Sequence, residues 1–108
     1  MTNVPDDPLE FIQRCVRERK VLWTYHVNMR LEGRHINRGD ILGAVDTYSI
    51  VESYPEDKYL PSYLVLARGE FHVLIAVDVE ERNVRIVTAY RPDPEEWEEG
   101  FMSRRNEP

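Results

Sequence analysis

Apolar positions recur at helical spacing in the first part of the chain and at alternate positions in the second. Leu9, Ile12, Cys15 and Val16, with Phe11 beside them, share one face of a 3.6-residue repeat, while Arg14, Arg17 and Glu18 point elsewhere. Asp7 suits an N-cap and Pro8 the first helical position, so a helix is predicted over residues 8–19. Val21 to Tyr25, aromatic and β-branched, reads as a brief strand or an extended connector. A second short helix is predicted from Thr24 or Tyr25 through Leu31, weakened by Gly33. Its i, i+4, i+8 spacing would line up His26, Arg30 and Arg34 along one side. Asn37 caps a third helix from Arg38 to about Thr47, with Ile41, Leu42, Val45 and Tyr48 as its buried stripe.

From Ser49 the period changes to two. Ser49 to Tyr54 is a strand, and the proline-flanked charged segment 55–61 is an exposed loop. In the next strand Tyr63, Val65 and Ala67 face one way, followed by a tight turn at Arg68-Gly69. Phe71, Val73, Ile75 and Val77 then oppose His72, Leu74, Ala76 and Asp78. A second hairpin closes over residues 80–83, after which Val84, Ile86, Thr88 and Tyr90 alternate with Arg85, Val87, Ala89 and Arg91. The gaps are too short for crossover helices, so the strands pair antiparallel. Pro92 and Pro94 end the last strand, Asp93 to Glu96 open a short helical turn, and Trp97 folds back onto the sheet. The expected architecture is α+β, with two to three N-terminal helices packed on one face of a four-stranded antiparallel sheet and a short C-terminal helical turn. One domain spans residues 1–108, with its core at about 8–100 and loose ends at 1–6 and 102–108.

Apolar residues make up 42% of the chain and charged residues 31%, a globular rather than disordered balance. The net charge of -6 argues against general nucleic-acid binding, which draws on Lys and Arg. Residues 11–40 depart from that balance, with seven basic residues against three acids, which is either a basic face or a solvated helical surface. No apolar run is long enough to span a bilayer, and the start of the chain lacks the pattern of a signal peptide. A cytoplasmic protein without a membrane partner is expected. Cys15 is the only cysteine, so no intrachain disulfide can form, and its position on the apolar stripe marks it as core filler.

The run Thr24-Tyr25-His26, then Arg30, Arg34-His35-Ile36 and Asp40, followed by YPEDKYLPSYLVL and TAYRPDPEEWE, resembles the bacterial family called domain of unknown function 4258. The resemblance covers about residues 20–100. Val27 stands where that family usually has Ala, and His35 where it has Gly; the latter bears on the turn between helices. The resemblance implies a distant likeness to the small RNase-toxin fold of RelE-like and barnase-like proteins, in which helices pack on an antiparallel sheet of about four strands. Fold alone confers no function.

On that footing the chemistry expected is metal-independent RNA cleavage: a base takes the 2′-OH proton, an acid protonates the leaving oxygen and cations stabilise the phosphorane. His26 and His72 are the natural proton carriers, with Arg30 a helical turn from His26. Arg34, Lys58 and Arg91 are suited to holding phosphate, and Tyr90 to stacking or hydrogen bonding. Each also has a structural explanation: His72 as a half-buried sheet residue, Lys58 as a solvated loop residue, Tyr90 and Trp97 as packing aromatics. Widely spaced histidines, no cysteine pair and no glycine-rich phosphate loop give no expectation of a metal or cofactor. The partner would then be RNA, together with an antitoxin-like protein. The alternative is a non-catalytic protein-interaction module, homodimeric or bound to another protein, using Tyr54, Tyr59 and Tyr63 as its exposed set.

Overall fold

A computed structural model describes residues 4–24 and 36–105. The expected second helix, with His26, Arg30 and Arg34, lies outside them. Helix α1, Pro8–Arg17, starts where Asp7 accepts the Glu10 amide at 3.1 Å, and it buries Phe11, Ile12, Cys15 and Val16. Helix α2, Arg38–Gly43, opens with a capping box in which Asn37 accepts the Asp40 amide at 2.8 Å and Asp40 accepts the Asn37 amide at 3.0 Å. It ends earlier than its apolar stripe suggests. Val45–Thr47 tighten into a 3-10 turn, and the Thr47 hydroxyl donates to the Ala44 carbonyl at 2.6 Å. Such β-branched residues and local side-chain bonds compete with helix continuation.

The expectation of a four-stranded antiparallel sheet under two to three helices is incorrect. The sheet has five strands, β1 (Val21–Trp23), β2 (Ser49–Tyr54), β3 (Ser62–Ala67), β4 (Phe71–Asp78) and β5 (Asn83–Tyr90), in the order β1-β5-β4-β3-β2. It is mixed: β1 runs parallel to β5, with Val21 opposite Val84 and Trp23 opposite Ile86, whereas β2, β3, β4 and β5 pair antiparallel in succession. Among the described residues there are two α-helices, and α2 is short. Residues 94–96 form a turn rather than a helix. A three-residue strand whose partner is distant in sequence carries too little periodicity to be read locally, and its pairing is decided by the sheet edge it meets.

Two bulges set which side chains share a face. The β2–β3 register passes from Ile50 opposite Val65 to Glu52 opposite Leu64, leaving Val51 as the extra residue. The β4–β5 register passes from Leu74 opposite Thr88 to Ile75 opposite Ile86, leaving Val87 extra. The alternation expected for β5 therefore breaks. Val84, Ile86 and Ala89 enter the core under the helices, while Thr88 and Tyr90 join His72 and Leu74 on the opposite face. The core lies between that first face and the helices, where Ile12, Val16, Ile41, Val65, Val73 and Ile75 are fully buried. The second face carries no helix among the described residues, and the chain after β5 crosses part of it.

Candidate functional site

The sheet face opposite the core gathers polar side chains from β2, β4, β5 and the C-terminal segment. That segment folds into a small hairpin: Trp97 bridges Arg104 antiparallel, the Glu98 amide donates to Ser103 O at 2.8 Å and the Arg105 amide to Glu96 O at 2.9 Å. Gly100 at φ 89° and Phe101 at φ 61° make its turn. A left-handed Phe costs on the order of 1 kcal/mol, and here it aims a carbonyl at the sheet. His72 Nε2 lies 2.8 Å from the Phe101 oxygen, and its Nδ1 lies 3.2 Å from the Tyr90 hydroxyl. A carbonyl only accepts, so Nε2 bears the proton and Nδ1 accepts from Tyr90.

His72 is fully buried, with Trp97 edge-on at 4.4 Å between ring centres and Tyr90 at 5.4 Å. Burial pushes its pKa below the ordinary 6.5, outweighing the upward pull of the Phe101 carbonyl and Glu52; Arg104 adds to the lowering. Sealed and bonded at both nitrogens, His72 has no free edge to offer a substrate; it anchors the hairpin and Tyr90. The imidazole is kept neutral in the fold while the unfolded chain titrates normally, so stability should fall as pH drops below about 6.5 toward the folded pKa. Urea midpoints of the wild type and His72→Gln between pH 7.5 and 5.0 test this. The wild type should lose stability across that window, and His72→Gln should lose measurably less.

Beside His72 lies the accessible chemistry. Arg104 grips Glu52 with two bonds, Nε at 2.7 Å and Nη2 at 3.1 Å, and its guanidinium stacks 4.5 Å from the Trp97 ring centre. The Tyr54 hydroxyl donates to the same carboxylate. The Arg104 bonds are the main cause holding the Glu52 carboxyl below its ordinary value. The bond to Glu52 raises the Tyr54 phenol, and burial raises that of Tyr90, so both remain proton donors at neutral pH. Arg104 stays half-exposed, so the ion pair contributes on the order of 1 kcal/mol or less to stability.

Tyr54, Tyr90 and Arg104 line an open cavity of about 350 Å³ together with Asp57, Ser62, Leu64, Leu74 and Thr88, and Glu52 is joined to that lining through its bonds to Tyr54 and Arg104. Asp57 Oδ2 accepts from the Ser62 hydroxyl at 2.6 Å. Thr88 Oγ1 is buried without a hydrogen-bond partner, an arrangement that costs about 1–3 kcal/mol. A larger groove of about 670 Å³ follows α1 past Cys15, but the thiol there is buried, with its pKa raised mainly by desolvation. A thiol of that kind is a poor nucleophile.

Of the residues singled out in the sequence that are described, only His72 and Tyr90 are brought together. Lys58 sits in the exposed β2–β3 loop, its ammonium 5.3 Å from the Tyr59 ring centre. Arg91 pairs at 3.7 Å with Glu70 in the β3–β4 turn. His26, Arg30 and Arg34 lie outside the described residues. The three tyrosines offered as a docking set do not form one: Tyr63 is 2% exposed in the core, Tyr59 is 81% exposed, and Tyr54 lines the cavity. Sequence reasoning missed Glu52 and Arg104. Glu52 reaches this face through the Val51 bulge, and Arg104 stands in a polar stretch that gives no local sign of its role.

Among the described residues, no three His, Cys, Asp or Glu side chains converge as metal ligands, and no helix is long and apolar enough to cross a membrane. A family model described as "Domain of unknown function (DUF4258)" matches residues 23–91. No curated protein and no solved structure matches the chain.

Proposed function

The chain belongs to the DUF4258 family, and from that premise we propose that it is a toxin-like, metal-independent endoribonuclease acting on cytoplasmic RNA. The observation that carries this reading is a carboxylate, Glu52, bonded to a guanidinium and a phenol, Arg104 and Tyr54, which with Tyr90 line an open cavity on the sheet face opposite the core.

Glu52 is the general base that removes the 2′-OH proton. The 2′-oxygen forms a bond to the adjacent phosphorus and the bond to the 5′-oxygen breaks, with Tyr54 returning a proton to the leaving oxygen. Arg104 stabilises the charge that gathers on the phosphorane oxygens. The products are a 2′,3′-cyclic phosphate and a 5′-hydroxyl. In the resting protein Arg104 holds Glu52 as a weak base. An entering phosphate competes for the guanidinium, and Glu52, freed of its counter-charge, becomes more basic where the proton must be taken. His72 acts at one remove, by fixing Tyr90 and the hairpin that carries Arg104.

The test is incubation of the purified protein with RNA in excess EDTA, with end-group analysis of the products. Cyclic phosphate ends are expected, with no cleavage of DNA or of 2′-O-methyl RNA. Absence of cleavage at any enzyme concentration would sink the nuclease reading.

A further inference from the structure

We propose that the cavity lined by Leu64 and Leu74 is a nucleobase subsite, with Thr88 as its hydrogen-bonding determinant; this deepens the nuclease reading and rests on it. The cavity is built unlike a phosphate site. Among the described residues that line it, Arg104 is the one cation and Asp57 the one carboxylate, engaged by the Ser62 hydroxyl, and the rest are two leucines, two tyrosines and the hydroxyls of Ser62 and Thr88. Apolar side chains, aromatic rings and a few neutral polar groups suit a flat, uncharged heterocycle. A volume of about 350 Å³ accommodates a base with its ribose.

Thr88 points to a ligand independently. Its Oγ1 is unpartnered, whereas Ser62 is satisfied by Asp57 and the Tyr54 and Tyr90 hydroxyls by Glu52 and His72. Thr88 lines the cavity, where a ring nitrogen or carbonyl of a base reached by its hydroxyl completes its bonding. The Val87 bulge is what brings Thr88 to this face. A base seated here would leave its phosphate toward Arg104, the order that cleavage beside a chosen base requires.

The experiment titrates the wild-type protein with the four nucleoside 3′-monophosphates and with ribose phosphate, by calorimetry or amide chemical shifts, and repeats this for Thr88→Val and Leu74→Trp. The first variant is isosteric and removes a bond-less hydroxyl, so its Tm should equal or exceed that of the wild type. The second fills the cavity. At least one nucleotide should bind about tenfold more tightly than ribose phosphate. Thr88→Val should weaken the preferred nucleotide about threefold or more, and Leu74→Trp should reduce every nucleotide to the ribose phosphate level. Equal binding of nucleotides and ribose phosphate, no binding of either, or no effect of both variants overturns the subsite. The EDTA cleavage assay separates the two ideas: cleavage without base preference retains the nuclease and removes the subsite, whereas nucleotide binding without cleavage does the reverse.

Discussion

Trp97→Ala is expected to lower the free energy of unfolding by about 3–5 kcal/mol, the largest stability loss of any single change outside the helix-covered core. Trp97 is 2% exposed although it lies beyond the last strand, with His72 against its edge and the Arg104 guanidinium on its face. Truncation leaves a cavity above a buried imidazole and removes the cation–π contact together with the packing that holds the hairpin. A domain of this size commonly has only about 5–15 kcal/mol in hand, so the effect should be plain in urea denaturation. Tyr59→Ala, at an exposed aromatic, serves as the control and should change little. A Trp97→Ala midpoint equal to that of Tyr59→Ala would show that the hairpin is not packed as described.

Glu52→Gln is expected to reduce RNA cleavage by about 100-fold to 10,000-fold, the range lost with a general base, while changing stability little. The separation follows from the site. The Glu52–Arg104 pair is half-exposed and weakly stabilising, and glutamine keeps a carbonyl oxygen that accepts from Tyr54 or Arg104. Glutamine cannot take a proton. The readout is the single-turnover rate with Tm measured alongside. A variant of unchanged Tm that cleaves at the wild-type rate removes Glu52 from the base role. In the acid range, Glu52 also contributes to stability: its folded pKa is depressed, so its contribution is complete above about 4.5 and is lost as pH falls from there through the folded value.

The legible parts of the fold are those in which a strong local pattern met no competing constraint. Helix α1 begins at the Asp7 cap and buries the expected stripe, because capping and amphipathicity are both local. The β3–β4–β5 meander follows from three alternating runs separated by turns. Strand β1 was ambiguous because its three residues gain a partner only when β5 is in place. Thr88 and Tyr90 were assigned to the wrong face because a bulge at Val87 reverses the alternation, and one extra residue leaves no mark on composition. His72 stood out as a histidine within an apolar run, yet its burial depends on Trp97 and Phe101 folding back across it.

The sequence by itself determined that this chain has an amphipathic helix, an antiparallel meander and a histidine within it, since those properties reside in residues close along the chain. Only the tertiary structure decided that the sheet is mixed and five-stranded and that His72 is sealed. It also decided that Glu52 is bonded to Tyr54 and Arg104, beside a cavity that Tyr54, Tyr90 and Arg104 line. The physical reason is distance along the chain: Glu52 and Arg104 meet because one bulge turns a carboxylate outward and a left-handed turn brings the C-terminal hairpin back to it.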